Sequence, residues 1–354
     1  NKSKNIFSSS FLSVIYSVEE KNVSRQELYE YIFYGTFYGD KTLFKEIDLL
    51  PSEYIFSIFP LFKRYKQKIF LDKIVHSNDL EKIFKSSYNA NIQYFKMIKN
   101  EFNNKVTSAL SGGFDSRLML AISKRVGIEL QLYVYGSDTS KDVKIAKNVV
   151  KNENLSIDHV NRDKYSKINK IDYHDIVENN YYYLDCLCVT GIFDNGSDID
   201  TRIRRTKKSL LHLNGGGGEI YRNFWELSDK KFNIKKFIKS KYDILDYSIC
   251  TAEFNKTSFY LNFEEKIKKI LSTSENVLNR IQIEKLYPLL RLKYWMGINN
   301  SINNQFSYSL TPFAEPNMFY TSLYIPLKFK NLGIFNAKLI RKMDINISKY
   351  LSDY

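Results

Sequence analysis

The sequence predicts an α/β protein built on a doubly wound parallel sheet, with a helical C-terminal part and a small β-rich N-terminal unit. Three observations predict it. Short apolar strands alternate with helix-like segments between residues 105 and 220, glycine-rich turns follow two of those strands, and beyond 221 the apolar period is mostly helical. Strand, tight turn, helix, strand is the βαβ pattern, whose long crossovers lead to parallel pairing.

Taken in order, Arg25–Tyr34 reads as a helix, and GTFYGDKTLFKEIDLLPSEYIF after it mixes turn residues with short apolar alternations, a small β-rich unit. From His76 to Asn103, Leu80, Ile83, Phe84, Ile92, Phe95, Met97 and Ile98 fall at helical spacing, enough for one or two helices. KVTSAL is a strand, and SRLMLAISKRVG is an amphipathic helix closed by Gly127. ELQLYVYG is a second strand, followed by a helix across Asp142–Glu153. LSIDHV and SLLHLN are a third and a fourth strand, the latter running into glycines. Neither internal repeats nor low-complexity tracts interrupt this order.

The 354 residues carry 44% hydrophobic and 15% aromatic content, which supports a packed interior and excludes a disordered chain. The net charge of +14 draws anions, but the densest basic clusters, Lys63–Lys68, Arg202–Lys208 and Lys235–Lys241, are short, and no nucleic-acid module signature accompanies them. Cys186, Cys188 and Cys250 have neither disulfide-framework nor zinc spacing, so reduced thiols and a cytoplasmic setting are expected. No apolar run is long enough to span a membrane, and residues 5–16 are too short and polar for a secretory signal. The first residue is Asn1 rather than Met, which suggests a fragment or a trimmed chain.

The chemistry concentrates in Leu110-Ser111-Gly112-Gly113-Phe114-Asp115-Ser116-Arg117, a turn between a strand and a helix. Adjacent glycines allow close backbone approach and positive φ, and the helix N-terminus favours negative charge. Ser111 and Ser116 add hydroxyls suited to phosphate oxygens. Asp115 suits an anion site only when a cation accompanies the phosphates, as magnesium does. The plainer explanation makes Ser-Gly-Gly a structural turn and Asp115 a helix cap. The loop lacks the lysine of a Walker A motif and the spacing of a dinucleotide fingerprint.

SGGFDS resembles the SGGxDS loop of the PP-loop ATP pyrophosphatases, which cleave ATP between its α- and β-phosphates. The wider resemblance is to the synthetase domain of the asparagine synthetase family. YGTFYGDKTLFKEIDLLPSEYIF (34–56) is similar to the end of that family's glutaminase domain, and LYVYGSDTSKDVKIAKNVVKNENLSIDHV (132–160) to its second strand and helix. LHLNGGGGEIYRNFW (211–225) is similar to its second glycine-rich loop, and SLTPFAEPNMFYTSLYIPLKFK (309–330) to a segment near its end. The resemblance implies a sheet of PP-loop (adenine nucleotide alpha hydrolase-like) type. It also implies a remnant of a glutaminase-like domain over 1–76 and a synthetase domain over 77–354.

Carried over position by position, the resemblance gives Leu110 and the backbone at Val134 and Tyr135 to the adenosine. Ser111, Gly112, Gly113, Asp115 and Ser116 take the pyrophosphate and Mg²⁺. Asn214, Gly215, Gly216 and Gly217 form the second loop, with Glu219 as a second magnesium ligand. One acidic position of the family's second loop is glycine here. The implied activity is adenylation of a carboxylate by ATP, with Asp115 and Glu219 as the catalytic pair, and amide formation with ammonia or glutamine-derived nitrogen. Aspartate is the family's archetypal acceptor, and a sugar acid is the other candidate. The family's N-terminal catalytic cysteine has no match here: for a natural chain that starts near Asn1 the nitrogen comes from elsewhere, as ammonia or through a separate glutaminase, and for a trimmed fragment that domain was lost. The family's terminal lysine falls beyond Tyr354, and Lys328, Lys330 and Lys338 do not match it. The alternatives are a tRNA-modifying PP-loop enzyme and a degenerate nucleotide-binding relative.

Other residues stay open between two explanations. His159 is a strand-end histidine or a residue of the nucleotide edge. Arg204 and Arg205 meet an acidic substrate or form a solvated turn. Arg291, Trp295 and Asn299 share a helical face that lines a pocket or packs in the core. Tyr181–Tyr183 reads as an aromatic core patch.

Overall fold

The computed structural model describes residues 6–52, 54–59, 62–66, 79–161, 170–187, 199–207, 209–243 and 246–352. The expected boundary at 76–77, the start of the helical stretch at His76, and Cys188 lie outside these residues.

The N-terminal part holds α1 (Phe11–Ser17), α2 (Arg25–Tyr34) and an antiparallel ribbon of β1 (Tyr54–Ser57) and β2 (Lys63–Lys66). Before β1 the described residues form isolated bridges, Val23 with Phe44 and Lys41 with Asp48, in place of a regular strand pair. Helix α3 (Leu80–Phe102) follows as one continuous element. Asp79 caps it by accepting from the amides of Glu81 and Lys82, and Ile83, Ser87, Asn91, Phe95 and Ile98 form its buried stripe.

The central sheet comprises β3 (Val106–Ala109), β4 (Leu130–Tyr135), β5 (Ile157–Val160), β6 (Leu211–Leu213) and β9 (Tyr308–Leu310). Its order is β5-β4-β3-β6-β9, and every pairing is parallel. The doubly wound sheet expected from the sequence is therefore present. The chain winds from β3 through α4 (Phe114–Val126) to β4, then through α5 (Lys141–Asn152) to β5. After α6 (Tyr173–Tyr183) and α7 (Ile199–Thr206) it returns to β6, on the opposite side of β3. The winding thus reverses between β3 and β6, and ligands of open α/β sheets bind beyond the carboxyl ends of such strands.

Helix α4 ends at Gly127 in the left-handed conformation (φ 75°), whose amide bonds back to the carbonyls of Ser123 and Lys124. Ser116 through Ser123 are all buried, because α4 is packed against α3 and α14 (Ile334–Met343). The remaining elements are mostly helical: α8 (Ile234–Lys241), α9 (Lys256–Leu271), α10 (Arg280–Leu286), a π-helical stretch (Tyr287–Met296), α11 (Gly297–Asn303), α12 (Pro316–Ser322) and α13 (Leu327–Lys330). A two-stranded ribbon, β7 (Phe232–Asn233) with β8 (Val277–Leu278), ties α8 to α10.

One hydrophobic core runs through sheet and helices, joining Val106, Leu118 and Leu213 to Tyr221, Phe263, Phe313 and Leu339. Tyr38 belongs to it too, and α2 lays Tyr34 on Phe263 and Phe33 on Phe259. Lys266 ties the same contact to Glu27 and Glu30 at 2.8 Å each. Among the described residues no helix is long and apolar enough to cross a membrane.

Candidate functional site

Both glycine-rich loops leave neighbouring strands at the switch point. The first, Leu110–Gly113, leads from β3 into α4, and the second, Asn214–Gly218, leads from β6 into a 3-10 turn at Gly218–Tyr221. They touch: a Cβ on Gly215 would lie 3.7 Å from the Ser116 backbone. The amide of Asn214 bonds the Leu310 carbonyl at 2.8 Å, so the β6–β9 ladder runs into the second loop and positions it.

The first loop is closed on itself by hydrogen bonds. The Ser111 amide donates to Ser116 Oγ (3.0 Å), the Gly113 amide to Ser111 Oγ (3.2 Å), and the Gly112 amide to Asp142 Oδ1 (2.7 Å). The Asp142 carboxylate, from the first turn of α5, therefore occupies the acceptor position that a phosphate oxygen would take. Arg117, almost wholly buried, donates to the Gly112 carbonyl (2.9 Å) and to the carbonyls of Tyr350 (2.7 Å) and Leu351 (2.6 Å). This pins the chain's last described residues against the loop. Gly112 and Gly113 are free to adopt positive φ, but neither does, and Gly113 sits at φ −77° as the cap of α4. Glycine is suited there by the open backbone it presents.

In the second loop the left-handed conformation is real: Gly217 has φ +95°, a region that other residues enter at a cost. A side chain on Gly216 would collide with the Met296 methyl. Met296 ends the π-helical stretch, and Asn214 Nδ2 reaches its Sδ at 3.4 Å. At Gly218 a Cβ would fall 2.6 Å from Asp115 Cβ and nearer still to its carboxyl carbon. With Asp115 placed as it is, position 218 has no room for a side chain.

Asp115 and Glu219 are brought to one place, and a third residue joins them. Arg222 Nη2 lies 2.6 Å from Asp115 Oδ2 and 3.6 Å from Glu219 Oε1. Asn336 of α14 donates to Asp115 Oδ1 at 3.0 Å. Glu219 Oε2 accepts from the Tyr287 hydroxyl (2.7 Å) and from the Gly217 amide (3.0 Å). Burial and the neighbouring Glu219 charge push the Asp115 carboxyl up to about 7, against the opposing pull of Arg222. The Tyr287 hydroxyl is held well above its ordinary range by burial and by Glu219.

Magnesium, which the resemblance assigns to Asp115 and Glu219, does not fit this arrangement. All four carboxylate oxygens already face protein donors or the guanidinium, and Arg222 stands between the carboxylates where a bridging ion would sit. Among the described residues no group of three or more His, Cys, Asp and Glu side chains is placed to hold a metal.

Of the other candidates, Leu110 and Val134 are core side chains that offer only backbone to a ligand, and the Leu110 amide is spent on the Tyr133 carbonyl at 2.9 Å. The Tyr135 hydroxyl bonds Arg205 and Thr201. His159 is a satisfied strand-end histidine, with Nε2 2.9 Å from the Gly136 carbonyl. Arg291 stacks over the Trp295 ring at 4.6 Å. Arg204 pairs with Asp158, and Arg205 lies over the rings of Tyr133 and Tyr135. Tyr182 and Tyr183 are each 52% exposed, so the expected aromatic core patch is half in solvent. Lys330 is buried against Glu284 at 2.7 Å. Sequence reasoning missed Arg222, Asn336, Tyr287, Asp142 and Arg117. Only Arg222 left a local signal, three positions after Glu219 on the same turn.

The fold and site together define a doubly wound α/β protein with two glycine-rich loops converging at its switch point. No family model matches the chain, and no curated protein matches it. Among solved structures it is similar to the U34-tRNA thiolase NcsA from Methanococcus maripaludis with its [4Fe-4S] cluster, at 11% identity and a TM-score of 0.29. That match covers 76% of this chain, which spans 65% of the thiolase's length.

Proposed function

We propose that the chain is an enzyme that binds the polyphosphate of an ATP-type nucleotide where the two loops meet and uses it to activate an acceptor. The observation that carries this reading is the packing of Gly215 against the Ser116 backbone. It joins a helix N-terminus after β3 to a second glycine loop after β6, beyond the carboxyl ends of adjacent strands. The amides of the first loop trade their present acceptors, Asp142 and the serine hydroxyls, for phosphate oxygens. In the finer reading, which rests on the resemblance to the asparagine synthetase family, a substrate carboxylate oxygen attacks the α-phosphorus. The bond to the β-phosphate oxygen breaks and pyrophosphate leaves. A nitrogen nucleophile, from ammonia or glutamine, then attacks the acyl carbon and AMP leaves with the electron pair. Positioning and charge stabilisation supply most of such catalysis. A cytoplasmic setting belongs to the same reading.

A second reading keeps the nucleotide chemistry and makes the acceptor a tRNA. The net charge of +14 favours it. Calorimetric titration with ATP tests the shared premise, and absence of binding overturns it. Pyrophosphate release is then followed with a panel of amino-acid and sugar carboxylates, or with unmodified tRNA. Stimulation by one class alone assigns the acceptor.

A further inference from the structure

We propose that Arg222 is a built-in cation that replaces a divalent metal at the Asp115–Glu219 pair, which leaves the adjoining loops to take a nucleotide polyphosphate without metal. The second half of this statement rests on the nucleotide reading above.

The guanidinium is part of the site's architecture. Its residue follows the 3-10 turn that carries Glu219, with the Arg222 amide bonded to the Glu219 carbonyl at 2.9 Å, so head group and carboxylate leave the same turn. Its side chain is 14% exposed and that of Asp115 15%, which takes the pair largely out of solvent screening. Each carboxylate is also held from its far side, Asp115 by Asn336 and Glu219 by Tyr287. The pair therefore cannot turn towards an incoming ion without losing those bonds. A divalent ion within bonding distance of Asp115 Oδ2 would sit beside a fixed positive charge 2.6 Å from the same oxygen, and the two cations repel.

Gly218 completes the device. Only a residue without a side chain lets the Asp115 carboxyl lie against the second loop, within reach of Arg222. A glycine at 218 and an arginine at 222 thus change the site in the same direction, from a metal cradle to a cluster that carries its own cation. A planar guanidinium also suits phosphate, to which it donates parallel hydrogen bonds that no metal need bridge.

The test uses the full chain and two probes, Mn²⁺ alone, followed by its paramagnetic resonance signal, and ATP, followed by calorimetry. Wild type is expected to show no Mn²⁺ binding that Asp115→Asn removes, and ATP affinity equal within about twofold in excess Mg²⁺ and in chelator. Arg222→Met is expected to gain Mn²⁺ affinity by about tenfold or more, and the Arg222→Met/Asp115→Asn double variant to lose it again. Arg222→Lys keeps a positive charge and is expected to stay Mn²⁺-free, an arm that remains readable should the methionine variant fail to fold. Asp115-dependent Mn²⁺ binding by wild type, or a methionine variant that folds and gains none, overturns the replacement of the metal. ATP binding that collapses in chelator overturns metal independence while the nucleotide reading survives. No ATP binding under either condition, with the Mn²⁺ arms as expected, refutes the nucleotide reading and leaves the role of Arg222 intact.

Discussion

Arg222 donates to the carboxylate of Asp115 at 2.6 Å across 107 residues of sequence, and that one contact clamps the first glycine-rich loop to the second. It joins the start of α4 to the turn that carries Glu219. Asn336 on α14 holds the same carboxylate from the other side, so three separate parts of the chain meet on one aspartate.

Asp115→Asn keeps the shape of this junction and removes its charge. Arg222 then loses the charged partner it has at 2.6 Å, and Glu219 remains beside it at 3.6 Å. ATP-dependent pyrophosphate release is expected to fall by ~10²-fold or more, the scale of one strong electrostatic group. Undiminished release in a phosphate-detection assay would remove Asp115 from the site.

Gly218→Ala places a methyl where the Asp115 carboxyl now lies. Backbone and charged group must both shift, with an expected loss of about 1–3 kcal/mol, as for overpacked cores. Chemical denaturation measures it as a lowered midpoint. An unchanged midpoint would mean that Asp115 is not seated against the second loop.

Asp142→Ala leaves the Gly112 amide without its acceptor and takes a negative charge from the loop. Stability is expected to drop by about 1 kcal/mol, the usual cost of one lost hydrogen bond. ATP affinity is expected to rise several-fold, since the competing carboxylate is gone. Weaker ATP binding by a folded Asp142→Ala protein would show that Asp142 supports the ligand instead of standing in for it.

His212 lies in the sheet, with Nε2 2.8 Å from the Tyr133 hydroxyl, and burial, then the charges of Arg205 and Arg202, pull its ring down to about 3. The unfolded ring titrates near 6.5. Between those values the unfolded chain holds a proton that the folded one refuses, so stability falls as pH drops below 6.5 and levels off near 3. The slope attributable to this one group is about 1.4 kcal/mol per pH unit. Equilibrium denaturation at stepped pH reads it directly, and His212→Gln is expected to flatten the profile over that window. A variant as acid-sensitive as wild type would place the loss elsewhere.

Some of this was open to reading from residue order. The strand KVTSAL, the turn after it and the helix stopped by Gly127 were legible because strand propensity, helix period and a left-handed cap each depend on residues within a few positions. The same holds for Arg25–Tyr34, whose limits match the helix found. Strand β9 escaped because three residues, Tyr308–Leu310, carry no period of their own inside a helical region. They form a strand only because β6 offers an edge, pairing Leu211 with Tyr308. The short β7–β8 ribbon escaped for the same reason.

The candidate site divides along the same line. Residue order alone determined that two glycine-rich turns follow strands and that Asp115 opens a helix, since each is a statement about near neighbours. Tertiary structure decided that Arg222 stands between those two acids, that Asp142 fills the Gly112 amide, and that positive φ belongs to Gly217 and not to Gly112 or Gly113. The reason is the winding of the sheet. It reverses between β3 and β6, bringing together loops about a hundred residues apart, and the charges that meet there are chosen by that proximity, which no local pattern records.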